Sequence, residues 1–181
     1  MGKGRFTALD VRAIVTELKQ CVLNLRVSNI YDLNSRTYLM KLAGEDKRFL
    51  VILESGVRCH ITNYAREKPE MPNYFASKLR RYLKTRKLTN VEQLGRDRII
   101  KFTFGTKPTL QMHLILEMYS GGNIILCDYN DTMLAVLRTV SINKANPTEK
   151  DTLTSASGPT AINTTKVNAV TNDAITTVAN Q

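Results

Sequence analysis

The chain is 181 residues long, 43% hydrophobic and 23% charged, a balance that suits one globular domain with a real core and excludes a disordered polyelectrolyte. Its 26 Lys and Arg outnumber 16 Asp and Glu, giving a formal charge of +10. That excess favours a polyanionic partner, either nucleic acid or an anionic membrane face, without choosing between them.

The 3 cysteines, Cys21, Cys59 and Cys127, have no C-x-x-C spacing, and His60 and His113 are the only histidines. No metal or redox cofactor is therefore expected, and lone thiols fit a reducing compartment. Behind Met1-Gly2-Lys3-Gly4-Arg5-Phe6 there is no long apolar stretch, so neither a signal peptide nor a membrane span is expected. Phe6 stands where a myristoylation motif requires Ser or Thr.

Leu9, Val11, Ile14, Val15, Leu18 and Val22 recur at helical spacing. Thr7 followed by Asp10 resembles a capping box, which predicts a helix over 8–23. From residue 26 to 61 the texture becomes β-rich, with strands predicted at 27–31, 38–42, 49–53 and 57–61, separated by turn residues including Glu54-Ser55-Gly56. Four strands without an intervening helix imply an antiparallel meander. Pro72 marks the expected start of a second helix, with Phe75, Leu79, Tyr82 and Leu83 on its apolar stripe. A second meander follows, with strands predicted at 88–94, 99–104, 110–118, 123–127 and 133–138. The fold class is α+β, two antiparallel sheets forming a sandwich or pseudobarrel with helices around one core.

Beyond about residue 141 the apolar periodicity fades, and 151–181 is rich in Thr, Asn, Ala and Ser with no aromatic residue. The expected organisation is therefore a domain over 1–145 and a linker or mobile segment over 146–181.

Residues 65–101 hold 11 basic and 4 acidic side chains, and so carry +7 of the +10 net charge. Lys78, Arg80, Arg81, Lys84, Arg86 and Lys87 form a candidate nucleic-acid patch on and after the second helix. The same residues read equally as the solvated face of an amphipathic helix. Tyr74 and Tyr82 are candidates for base stacking, although Tyr82 lies on the apolar stripe. Asp10, Asp97 and Arg98 form a second candidate group. Each has a plain structural role open to it: Asp10 as a capping residue, Asp97 as a turn former, Arg98 at a strand edge.

The segments RFTALDVRAIVTEL (5–18), V-x-N-I-Y-D (27–32), LESGVRCH (53–60), FASKLRRYLKTRKL (75–88), LGRDRII (94–100) and GGNIILCDY (121–129) resemble successive landmarks of the NFACT family N-terminal domain, in its eukaryotic, NEMF-like branch. The resemblance covers roughly residues 5–140. It implies a fold similar to the N-terminal domain of the formamidopyrimidine-DNA glycosylases. It also implies a cytoplasmic ribosome-quality-control role: binding a large ribosomal subunit obstructed by peptidyl-tRNA, and bringing charged tRNA for mRNA-independent C-terminal tailing of the stalled chain. The family's functional acid in the first helix matches Asp10, and its Asp-Arg pair matches Asp97 and Arg98, which implies tRNA contact by these three. Arg98 would present its guanidinium fork to a phosphate or base edge, with the acids accepting from base amines or holding the arginine.

The resemblance implies a binding domain, since the ribosome itself makes the peptide bonds. Complete family members continue into a helix-hairpin-helix module and a coiled coil, so the chain is expected to be a fragment. Recruitment of a listerin-type ubiquitin ligase is expected of the parts beyond it. A glycosylase or lyase would need an N-terminal proline amine and an adjacent glutamate, and Met1-Gly2-Lys3 supplies neither. The remaining alternative is a protein-interaction or general ribosome-adhesion module without specific tRNA recognition.

Overall fold

A computed structural model of the chain describes residues 5–139, except Ala65 and Lys68. The boundary expected near 145, the Thr- and Asn-rich segment 146–181, and Lys68 of the basic region lie outside the described residues.

Helix α1 spans Ala8–Val22 and opens on the capping box its sequence predicts. Its buried residues, Val11, Ile14, Val15, Leu18 and Val22, fall on one face, because residues three and four apart lie above one another on a helix. Burying such side chains contributes roughly 1.5–3 kcal/mol each, which makes packing rather than propensity the main support of this helix.

The first meander is a four-stranded antiparallel sheet, β1 (Arg26–Asp32), β2 (Thr37–Ala43), β3 (Arg48–Glu54) and β4 (Arg58–Thr62), paired in chain order. The second is a five-stranded antiparallel sheet, β5 (Leu88–Gln93), β6 (Ile99–Phe104), β7 (Met112–Glu117), β8 (Asn123–Cys127) and β9 (Met133–Val136), also in chain order. The strand expected from residue 110 begins at Met112, because Pro108–Leu110 forms a single 3-10 turn. Proline's fixed φ favours that turn and withholds a ladder donor.

Helix α2 spans Tyr74–Leu83 and starts two residues after Pro72. Asn73 sets the boundary: its side-chain oxygen accepts from the Ala76 amide at 2.7 Å, as a capping residue should. The Asn73 amide donates to Asp32 Oδ2 at 3.1 Å, and its Nδ2 donates to the Tyr38 hydroxyl at 3.0 Å. The helix entry is thereby anchored to the first sheet.

Both sheets face one core. Tyr38, Met40, Val51 and Leu53 of the first sheet share a cluster with Phe102, Phe104, Leu116 and Leu126 of the second, and both helices add their apolar faces to it. The sheets are joined where β1 runs beside the α2–β5 link: the Val27 amide donates to Arg86 O at 2.9 Å, and the Thr85 amide to Val27 O at 2.8 Å. A second stitch comes from the β3–β4 turn, where the Gly56 amide donates to Glu117 O at 2.9 Å.

Helix α1 packs against β4 and β5, whereas α2 packs against β1 and β9. Those strands are the opposite edges of their respective sheets. The two helices therefore cover opposite edges of the sheet pair. Among the described residues no helix is long and apolar enough to cross a membrane, and no group of three His, Cys, Asp or Glu is placed to hold a metal.

Candidate nucleic-acid interface

Asp10 occupies the first turn of α1. Its Oδ2 accepts from both the Thr7 amide and the Thr7 hydroxyl at 2.7 Å, while the Asp10 amide donates to Thr7 Oγ1 at 3.3 Å. The reciprocal bonds satisfy donors that a helix start leaves open. They also fix the carboxylate at the positive end of the helix dipole.

Asp97 and Arg98 lie in the turn between β5 and β6. Gly95 takes φ 58° there, a left-handed conformation that glycine adopts without steric cost. The Asp97 amide donates to Leu94 O at 3.2 Å, and the Arg98 amide donates to Asp97 Oδ1 at 2.6 Å. The Arg98 carbonyl accepts from the Met118 amide at 2.9 Å, so the backbone under both side chains is held from two directions.

The turn and the helix start meet through Gln93. Its Nε2 donates to Ala8 O at 3.1 Å and to Asp97 O at 2.7 Å. Between them lies a hollow of about 440 Å³ lined by Arg5, Thr7, Arg96, Asp97 and Arg98. Ala8 and Arg96 also line a neighbouring groove of about 740 Å³, which runs along α1 past Leu9, Arg12 and Lys19. The structure thus brings Asp97 and Arg98 to the hollow; Asp10 does not line it but is hydrogen-bonded to Thr7, which does. Tyr119 stands close by: desolvation first, then the Glu117 charge and hydrogen bond, then the Asp97 charge, hold its hydroxyl above the usual phenol range.

The basic residues on and after α2 lie apart from the Asp97–Arg98 turn. Lys78, Arg80 and Arg81 lie on the helix, Lys84 is its C-cap, and Arg86 and Lys87 lie in the link to β5. They are not equivalent. Arg80 is half-buried, its Nε donates to Ile30 O at 2.6 Å, and its guanidinium lies 5.3 Å from the Tyr31 ring centroid. Arg86 donates to Tyr82 O at 2.7 Å and to Leu110 O at 2.5 Å. These two arginines help to hold the fold, whereas Arg81 and Lys84 are exposed. Tyr82 is partly buried against the core, as the apolar stripe predicts.

Sequence reasoning missed Arg5 and Arg96 as parts of the hollow, and Gln93 as the link between its two sides. Gln93 carries no local signal, because Ala8 is 85 residues away along the chain. Arg96 was visible only as one cation among many.

Residues 7–147 match the family described as NFACT N-terminal and middle domains. The chain is 44% identical over 136 residues to the human ribosome quality control complex subunit NEMF, covering 75% of this chain and 12% of that protein. It is 41% identical over 147 residues to ribosome quality control complex subunit 2 of Schizosaccharomyces pombe, covering 78% of this chain and 14% of that protein. The chain therefore spans about an eighth of the length of these curated relatives. Among solved structures, the N-terminal domain of the fibronectin-binding protein PavA from Streptococcus pneumoniae aligns with a TM-score of 0.70 at 25% identity, covering 77% of this chain and 58% of that one. With a family match across most of its length, the chain belongs to the NFACT family, in the N-terminal region that its eukaryotic ribosome-quality-control relatives share.

Proposed function

We propose that this chain is a tRNA-engaging and large-subunit-binding domain of a cytoplasmic ribosome-quality-control factor. In that role it helps to recognise large subunits obstructed by peptidyl-tRNA and to bring charged tRNA for mRNA-independent C-terminal tailing. It binds and does not catalyse; the ribosome makes the peptide bonds. A listerin-type ligase would be engaged by parts of the factor outside this chain. The finer fold expectation, likeness to the N-terminal domain of the formamidopyrimidine-DNA glycosylases, belongs to the same proposal.

The observation that carries the reading is the hollow in which Arg98 and Asp97 stand beside Arg5 and Arg96 at the start of α1. Three cations around one carboxylate offer an RNA phosphates to neutralise and a fork for a base edge. Asp97 supplies the acceptor that distinguishes a base amine from a phosphate. Asp10 contributes by holding the helix start that forms one wall. The membership of the family and the names of its relatives support the RNA-linked role.

A protein contact at the same edge is favoured by one feature: Leu9, in the adjoining groove, is 75% exposed. Binding of tRNA by the wild-type chain and by an Asp97→Ala/Arg98→Ala variant separates the two readings. The tRNA role requires the double variant to bind more weakly, and the protein-contact role leaves tRNA binding indifferent to it.

A further inference from the structure

At the end of α2, Arg26, Arg86, Lys87 and Lys107 line a hollow of about 320 Å³ to which no Asp or Glu contributes. The four cations come from three separate parts of the chain: the first residue of β1, the α2–β5 link, and the connection after β6. Two of them are held by main-chain oxygens rather than by carboxylates. Arg26 Nη1 donates to Thr85 O at 2.9 Å, and Arg86 donates to Tyr82 O and Leu110 O. A carbonyl fixes a guanidinium in place without neutralising it, although Arg26 and Lys87 also border a neighbouring hollow that Glu45 and Asp46 line. Cations gathered in this way repel one another unless an anion sits among them.

The positive surface continues along α2. Tyr74, Lys78 and Arg81 follow one another at helical spacing on the solvent side, and Lys84 caps the helix beside the hollow. No acidic residue occurs between 71 and 88. At the far end the Tyr74 ring is 77% exposed, with the Lys78 ammonium 5.4 Å from its centroid. An aromatic face flanked by cations suits a nucleobase, which stacks on the ring while its phosphate meets the charge. An acidic peptide would match the cations but would leave the ring without a partner of its own kind.

We propose that the α2 edge is a second RNA-binding face. It takes the backbone of an unpaired strand from the Arg26–Arg86–Lys87–Lys107 hollow along Lys84 and Arg81, and stacks one unpaired base on Tyr74. The proposal rests on the reading that the partner is RNA. It adds a contact apart from the Asp97–Arg98 turn: the hollow lies at the other end of the β5–β6 hairpin, and α2 packs against β1 and β9.

The test is binding of a labelled single-stranded RNA, and of the same sequence as a duplex, to the 181-residue chain over a range of salt concentrations. The variants are Lys84→Ala/Lys107→Ala, Tyr74→Ala, Asp97→Ala/Arg98→Ala, and Arg36→Glu as a control with the same change of net charge on the exposed β1–β2 turn. Loss of two phosphate contacts lowers the slope of log K against log salt by about 1.4 for a single strand. Tyr74→Ala weakens the single strand roughly tenfold and spares the duplex.

Equal binding by Lys84→Ala/Lys107→Ala and Arg36→Glu, with weakening only in the Asp97/Arg98 variant, overturns this face and leaves the proposed function standing. The reverse pattern supports this face and counts against Asp97 and Arg98. Binding of poly-glutamate as tightly as RNA, with the same variants sensitive, assigns the face to an acidic protein instead. A wild-type chain that binds neither strand nor duplex also overturns the proposal.

Discussion

Gln93 reaches from the end of β5 to the carbonyl oxygen of Asp97 at 2.7 Å, and the same nitrogen donates to Ala8 O at 3.1 Å. One side chain thus ties the turn that bears Asp97 and Arg98 to the start of the helix that bears Asp10. Gln93→Leu keeps the size and removes both hydrogen bonds. At about 0.5–1.5 kcal/mol net for each bond, it is expected to lower stability by about 1–3 kcal/mol in urea unfolding. It should also weaken tRNA binding although every proposed contact residue remains. Unchanged tRNA affinity in a folded Gln93→Leu protein would detach the hollow from the binding reaction.

The contact between the two sheets at Gly56 and Gly122 has no room for a side chain. A Cβ on Gly122 would lie 1.9 Å from the Gly56 nitrogen, and Gly122 has φ 64°. Gly122→Ala must push the β3–β4 turn away and break the Gly56-to-Glu117 stitch, so a loss of more than about 3 kcal/mol, or failure to fold, is expected. Gly95→Ala is the control. It has a similar φ of 58° and nothing within 4 Å of the new Cβ, and should cost only about 1–2 kcal/mol for the left-handed backbone. Comparable urea midpoints for the two variants would contradict the close sheet contact.

Asp10 has a capping duty that can be separated from any role of its charge. Asp10→Asn retains an acceptor for Thr7, whereas Asp10→Ala removes it and should cost about 1 kcal/mol. If the charge contributes to tRNA binding, Asp10→Asn changes affinity while its thermal midpoint stays near that of the wild type. If only Asp10→Ala changes affinity, Asp10 acts through the helix start alone.

His113 is buried, with Thr103 Oγ1 3.3 Å from its Nδ1. Burial, followed by the charge of Lys101, lowers its pKa from 6.5. The unfolded chain therefore takes up this proton first. The stabilising contribution of neutral His113 is present above the unfolded pKa of about 6.5, and declines as pH falls from there toward the lowered folded value. Replacing His113 with Gln should flatten the fall of unfolding free energy between neutral pH and pH of about 5. An identical pH slope in the variant would show that other groups carry it.

The two meanders were legible in the sequence because alternating strands and turn residues at Gly56, Gly95 and Gly122 are local signals. The start of α2 was displaced because Pro72 draws attention, yet the neighbouring Asn73 makes the cap. Asp97 and Arg98 stood out through family resemblance alone, since a Gly-Arg-Asp turn is chemically ordinary. Long-range placement was not legible. Nothing in the sequence around Lys78 or Asp10 tells that α1 and α2 cover opposite edges, because that follows from which strands end each sheet. Nor does charge distinguish Arg80 and Arg86, which bond to main-chain oxygens, from Arg81 and Lys84, which are exposed.

The central claim is that the hollow at Asp97 and Arg98 engages tRNA. Salt-dependent binding of a labelled tRNA to the wild-type chain and to Asp97→Ala/Arg98→Ala tests it most directly. The account predicts a steep salt slope for the wild type, and for the variant a clear loss of affinity and of selectivity among tRNAs while its unfolding midpoint is kept. Equal affinity, slope and selectivity in the two proteins would contradict it.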